Sequence, residues 1–290
     1  MSDHTSLAAD QDTAPIDPGF VFDYRALDGP AYDLDDDQRL STYWDVEPLC
    51  RGPQPPPAWL VTDRAAVDTD LGVLKTGKEA EVFVLERAVP GGASCLLAAK
   101  RYRTAEHRNF HRSAAYTEGR RTRNTRDARA MTKATAHGRA VAAGQWAVAE
   151  WEALKRLYDA GVPVPYPVQV DGTEILMELV TADGEAAPRL AQARPGRALL
   201  ASYFQQLRDA METLARLGLA HGDLSAYNVM AAGDRLVLID LPQVVDVVAN
   251  PAGGDFLLRD CHNVCRWFAG RGLEVDEQEL YAELLSAVFG

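Results

Sequence analysis

The chain has 290 residues, 47 % of them hydrophobic and 25 % charged, and carries a formal net charge of −12. That length suits one large domain or two lobes with real cores, and the composition is globular rather than fibrous or disordered. No apolar run approaches a membrane span, the acidic N-terminus MSDHTSLAADQDTAP lacks a signal-peptide core, and the four cysteines (Cys50, Cys95, Cys261, Cys265) outline no disulfide framework; a cytoplasmic protein with no membrane partner is expected.

The charge is unevenly placed. Residues 1–50 hold twelve acids and two arginines, a net of −10, whereas residues 101–140 hold eleven Lys and Arg against three acids, a net of +8. Residues 1–45 are rich in Asp, Ala, Pro and Gly and read as a largely disordered tail. RGPQPPP at 51–57 reads as a stiff extended joint, so residues 1–57 are set apart and folded structure is expected to start near Ala58.

Two strands around a turn are predicted over 71–85. Gly72-x4-Gly77-Lys78 almost spells a P-loop, but Glu79 stands where a Ser/Thr would bind a metal, and EVFVLE alternates like a strand rather than opening a helix. The layout is that of a kinase loop covering phosphates, with a degenerate glycine signature: counting back from Val82, only Gly77 falls on a glycine position, and Lys75 and Ala80 occupy the other two. Thr76, Lys78 and Val82 are therefore candidate nucleotide-binding residues. SCLLAAK at 94–100 is a strand ending in lysine, with small Ala98 two residues before Lys100, the form of a V-A-I-K strand whose lysine contacts α- and β-phosphates.

Residues 101–140 are arginine-rich without hydrophobic periodicity, which predicts a flexible insertion or a basic arm for RNA phosphates. Tyr102, Phe110 and Tyr116 are too few aromatics to support base stacking. A helix is predicted over 146–157, with a stripe of Trp146, Ala149, Ala153 and Leu157 and with Gly161 stopping it. Glu150 and Glu152 are both candidates to pair with Lys100. VPVPYPVQV and TEILMELV predict two strands joined at Asp171-Gly172. In a two-lobed kinase Met177 would back the adenine pocket, and backbone groups of Glu178 to Val180 would bond the adenine edge. Residues 181–195 read as a loop and 199–217 as an amphipathic helix.

The stretch 217–243 carries the chemistry. Asp223-x4-Asn228 has the spacing of the H-R-D-x4-N catalytic loop, with Gly222 in place of Arg, and Asp240 ends an apolar strand, 236–239, where the Asp of D-F-G would stand. Asp223 accepts the proton of an attacking hydroxyl in such a site, and Asn228 and Asp240 hold Mg²⁺ or Mn²⁺ on the phosphates of ATP. Met230 and Ile239 complete the candidate nucleotide pocket. After Asp240 the chain predicts two helices, 255–269 and 276–289, and no long activation segment. Cys261 and Cys265 lie four apart on the first of them, but no second ligand pair accompanies them, so buried thiols fit better than a metal site.

TGKEAEV, AAKRY, the helix ending in GVPVP, HGDLSAYN, IDLPQ and NPAGGDFLLRDCHNVCRWF together resemble the RIO family of atypical serine/threonine protein kinases, a bacterial member in particular, over residues 68–270. The resemblance implies an α+β, trimmed two-lobed kinase fold: a small antiparallel sheet with one main helix over residues 58–180, and a mainly helical lobe over 181–290. It implies ATP and a divalent cation, autophosphorylation or ATP hydrolysis, and Glu150 as the favoured partner of Lys100. In some relatives the residue matching Asp240 is transiently phosphorylated. A protein substrate or the chain itself is the expected acceptor; a ribosomal partner is a role of other members. Aminoglycoside- and choline-type kinases also carry HGDxxxxN followed by Asp, and an RNA-associated ATP switch is the third reading.

Overall fold

Alternation of side chains along three consecutive strands builds the first layer. The computed structural model describes residues 34–103 and 136–290, with the side chains of 136–142 left aside. Strands β1 (Gln38–Leu40), β2 (Val67–Thr76), β3 (Ala80–Ala88), β4 (Ser94–Tyr102), β5 (Pro167–Asp171) and β6 (Glu174–Glu178) form one antiparallel sheet in the order β1-β2-β3-β4-β6-β5. Successive residues of a strand face opposite sides. Leu97 and Ala99 therefore join Tyr43, Leu60, Leu85, Tyr166, Val168 and Leu176 in a cluster on one face. Lys100 turns to the other, beneath helix α1 (Ala136–Asp159).

The helical layer follows from α2 (Arg197–Arg216), α3 (Gly253–Ala269) and α4 (Glu277–Phe289). Their apolar stripes, such as Leu200, Tyr203, Leu207, Ala210, Met211 and Leu214 on α2, meet those of α1 and α3 in the main core. Two short hairpins and a small ribbon complete the fold: β7 (Thr181–Ala182) with β8 (Glu185–Ala186), β10 (Val229–Ala232) with β11 (Arg235–Leu238), and β9 (Leu219–Ala220) with β12 (Val245–Asp246). Only residues 241–252 separate Asp240 from α3, so this is an α+β kinase-like fold trimmed of a long activation segment. Among the described residues no helix is long and apolar enough to cross a membrane.

Several expectations shift. Packed structure begins before Ala58: β1 pairs with β2, Tyr43 is 1 % exposed, and the Gly52 amide donates to Val168 O at 3.0 Å. A Cβ on Gly52 would lie 1.8 Å from Pro167 O, so this segment lies hard against β5. Isolated anchors rather than a periodic pattern hold it, which is why it reads as a joint. The arginine-rich segment starts later than 101, because β4 runs to Tyr102; Arg101 pairs with Asp70 and Glu174, and Arg103 with Glu81. The RNA-arm expectation otherwise lies on 104–135, and the disordered-tail expectation on 1–33, outside the described residues.

The buried face of α1 is Ala143, Ala147, Glu150, Trp151, Leu154 and Leu157; of the predicted stripe only Leu157 is fully buried, with Trp146, Ala149 and Ala153 half-buried beside it, because small apolar residues lie on both flanks and a buried Glu150 interrupts the apolar pattern. β5 begins at Pro167 instead of Val162, since Pro163 and Pro165 have no N–H for a ladder. The β5–β6 turn falls on 172–173, one residue later than predicted, with Gly172 at φ +56°. The expected loop 181–195 contains the β7–β8 hairpin, whose turn residues Asp183 and Gly184 both have positive φ, as a type I′ turn requires.

Candidate active site

Three segments converge on one ammonium group. Lys100 Nζ lies 2.6 Å from Glu150 Oε1 and 3.1 Å from Asp240 Oδ1. Helix α1 supplies Glu150 from its buried face, whereas Glu152 points to solvent, so the choice between the two is made by packing. Tyr102, at the end of β4, donates its hydroxyl to the other oxygen, Glu150 Oε2. The carboxylate is thus held at both oxygens, and Lys100 is held on it.

Charge reinforces the geometry. Burial alone would lower the Lys100 ammonium pKa, but the Glu150 and Asp240 carboxylates outweigh it and hold it above its ordinary value. Burial would raise Asp240; Lys100 above all, with His221 and Lys75, pulls it below the usual carboxylate range instead. Burial, followed by the neighbouring Asp240, pushes the Glu79 carboxyl up. The Tyr102 phenol is raised well above its ordinary value by burial and by Glu150.

Asp240 owes its place to the β10–β11 hairpin. Val229 pairs with Leu238, and the Ile239 amide donates to Asn228 O at 3.0 Å, so Asn228 and Asp240 leave the hairpin side by side. Asp240 then adopts φ +69°, ψ +60°, a left-handed conformation that Asp tolerates better than most residues, and the chain turns into the one-turn helix Leu241–Gln243. His221, 1 % exposed, holds the preceding carbonyl: its Nε2 is 3.1 Å from Ile239 O.

The catalytic-loop segment is fastened from below. Asp260, on the buried stripe of α3, accepts the amides of Gly222 and Leu224, each at 2.8 Å. Asn263 donates to Leu224 O at 3.0 Å, and Arg259 donates to Gly222 O. Burial raises the Asp260 carboxyl, partly offset by His221 and by the two amides it accepts. Gly222 has φ +84°, and a Cβ there would lie 2.4 Å from Gln243 O. Glycine therefore replaces the Arg of H-R-D because the turn after Asp240 presses against this backbone. Asn228, 8 % exposed, donates from Nδ2 to Asp223 O at 2.8 Å and approaches Asp223 Oδ2 at 3.4 Å. Asp223 itself is half-buried.

The remaining candidates line the edges. Ala98 is buried on the Lys100 face, and Val82 lies directly opposite Lys100 across the β3–β4 ladder. Thr76 is exposed with Oγ1 3.5 Å from Glu81 Oε1, and Lys78 is exposed in the turn. Met177 pairs with Ala98 and packs on the core, Met230 packs beside Val180 and Val237, and Ile239 is half-buried. Of the adenine-edge groups, the Glu178 amide already donates to Tyr166 O and the Val180 carbonyl already accepts from Ala187. The Val180 N–H has no such partner among the described residues.

Tyr102, Asp260, Asn263 and Arg259 are site-supporting residues that motif reading passes over. Asp260 has a signal: it is a charged residue inside the stripe Phe256, Leu257, Cys261, Val264, Cys265 and Phe268, where an acid needs partners. Tyr102 carries none, because it looks like part of the arginine-rich segment.

The family described as RIO domain matches residues 88–280. The chain is 36 % identical over 215 residues to a RIO-type serine/threonine-protein kinase Rio1 of Haloferax volcanii, covering 74 % of this chain and 68 % of that one. It is 32 % identical over 207 residues to serine/threonine-protein kinase rio1 of Dictyostelium discoideum, covering 68 % of this chain and 32 % of the relative. It is also 32 % identical over 139 residues to serine/threonine-protein kinase RIO3 of Mus musculus, where the shares are 47 % and 27 %.

Proposed function

The chain belongs to the RIO domain family, and on that premise we propose that it is an atypical serine/threonine protein kinase that transfers the terminal phosphoryl group of ATP to a hydroxyl on another protein or on itself. The observation that carries this reading is Lys100 shared between Glu150 and Asp240, with Asn228 tied to Asp223 beside them. A lysine held by a helix carboxylate, an acid for the hydroxyl proton, and an amide and acid for the cation are the parts phosphoryl transfer needs.

In this proposal Asp223 accepts the proton of the attacking hydroxyl. Lys100 donates to the α- and β-phosphates, and Glu150, itself fixed by Tyr102, keeps the ammonium aimed. Adenine lies against Ala98, Val82, Met177, Met230 and Ile239, with the free Val180 N–H at its edge and Thr76 and Lys78 over the phosphates. Asp240 and Asn228 are the residues for Mg²⁺ or Mn²⁺; bound there, the cation neutralises phosphate charge. The donor set fits. Asn228 Nδ2 is engaged by Asp223 O, leaving its Oδ1 for a hard cation. Among the described residues no three His, Cys, Asp or Glu side chains cluster as a self-sufficient cage. One carboxylate and one amide oxygen suit Mg²⁺, which takes one or two carboxylates and completes its shell with phosphates and water.

The test is incubation with γ-labelled ATP and Mg²⁺, following acid-stable label on protein and free phosphate together. Label on Ser or Thr that Asp223→Asn and Asp240→Asn abolish supports the kinase. Free phosphate with little stable label assigns ATP hydrolysis to the same residues. Turnover that survives both substitutions overturns the reading.

A further inference from the structure

Lys75 stands where a glycine-based phosphate loop has its first glycine, and the sheet register decides where it points. Lys75 pairs with Val82, and Val82 pairs with Lys100. Residues opposite one another in antiparallel strands share a face, so Lys75, Val82 and Lys100 form one row on the side that faces Glu150 and Asp240. Two strand spacings separate the two lysines by about 10 Å. Lys100 is paired, whereas Lys75 is exposed and has no hydrogen-bond or ion-pair partner among the described residues.

A second cation belongs to the same region. Arg189 is fixed on the catalytic-loop side: it forms a β-bridge with Met230, its amide donates to Gln192 Oε1 at 3.1 Å, and its guanidinium donates to the carbonyl of Tyr227, the residue before Asn228. The two cations feel each other. Burial first, then the Arg189 charge, lowers the Lys75 ammonium pKa, with Asp240 opposing and Lys100 adding to the effect. Like charges gathered there repel more than the Asp240 carboxylate offsets, and a further anion bound among them removes the penalty.

We propose that Lys75 and Arg189 close from opposite sides on the terminal phosphate of bound ATP, so that this chain tells ATP from ADP by a pair of cations. The inference rests on the ATP-site reading above. Lys100 and Asp240 mark the inner end of the phosphate chain. Arg189, anchored beside Asn228, marks the end next to Asp223, where transfer takes place. A lysine in place of a loop glycine gives up backbone approach to the phosphates and supplies a mobile donor instead.

The experiment is direct binding of Mg·ATP and Mg·ADP to the full chain as wild type, Lys75→Ser and Lys75→Arg. Lys75→Ser is expected to weaken ATP about tenfold, the loss of one charge-assisted contact, and ADP less than about twofold, with Lys75→Arg restoring most of the difference. Equal weakening of both nucleotides, or unchanged ATP binding, overturns the proposal while leaving the ATP site standing. A wild type that binds neither nucleotide overturns the site reading and this inference together.

Discussion

Two buried ion networks lie in the same sheet and have opposite characters. Arg87, fully buried, is bidentate to Asp68 at 2.6 and 2.8 Å and also donates to Gln169 Oε1 at 3.1 Å, while Gln169 in turn donates to Thr42. Lys100 joins Glu150 and Asp240, but the Asp240 side chain is 40 % exposed. The first network is sealed at its central pair, with Arg39 reaching Asp68 only from 4.0 Å, and it ties β2, β3 and β5 to the N-terminal segment. The second is open at one member. The same chemistry makes a structural clamp when the central pair is sealed and a candidate site when one acid is exposed.

The difference can be broken first at the chemistry. Asp223→Asn is expected to cut phosphoryl transfer by about 10²- to 10⁴-fold, the contribution typical of a positioned general base, with little change in melting temperature. Single-turnover kinetics beside thermal denaturation separate the two quantities. The closed network should behave in the reverse way. Arg87→Met leaves the buried Asp68 carboxylate with only the half-exposed Arg39, 4.0 Å away, and a loss of about 3 kcal/mol in denaturant unfolding is expected, with activity per folded molecule retained. Adding Asp68→Leu should recover much of that loss, because the orphaned charge is then gone; no recovery would mean that the pair itself is strongly stabilising.

Asp260→Ala comes next. It strips two buried amides of their acceptor, at about 1–3 kcal/mol for each unsatisfied group, and it frees the loop that carries Asp223. A fall in kcat larger than the stability loss explains, with KM for ATP little changed, would mark Asp260 as a positioning residue. Glu150→Gln should weaken turnover more than Glu152→Gln, which should do nothing, since only Glu150 touches Lys100.

The smallest effect is one of pH. Asp240 is depressed, so the stability from its pairing is present above its ordinary value of 3.8 and is lost only as pH falls through the lower folded value. Lys100 is raised, so its contribution is complete below its ordinary 10.5 and is lost as pH rises through the higher folded value. Both contributions persist across the neutral range, so the Lys100–Asp240 pair by itself adds no pH dependence to stability between about pH 5 and 9. In Lys100→Met the strongest influence lowering Asp240 disappears and burial takes over, so the acid limb should move upward. A titration that leaves it in place would show that Lys100 does not govern Asp240.

Motif spacing singled out Lys100, Asp223, Asn228 and Asp240, and the fold brings Lys100 to Asp240 and Asn228 to Asp223, because a short loop and a strand end deliver those side chains at fixed intervals. The helices after Asp240 were legible for a different reason: their apolar stripes repeat at the helical period. Residues 38–57 were not legible, since a few anchors such as Tyr43 carry their packing. Tyr102 hid behind the arginines that follow it, and the buried face of α1 hid because it includes the charged Glu150 while apolar Val148 faces out.

By itself, then, the sequence determined the family, the α+β class and the order of the catalytic elements, all of which are written in local spacing and composition. Tertiary structure alone decided that Glu150 rather than Glu152 meets Lys100, that Asp260 holds the loop, that Gly222 is there for want of room beside Gln243, and that Lys75 shares a face with Lys100. Each of these depends on which way a side chain points when distant segments pack, and that direction is set by register and close contact between elements, which no local pattern encodes.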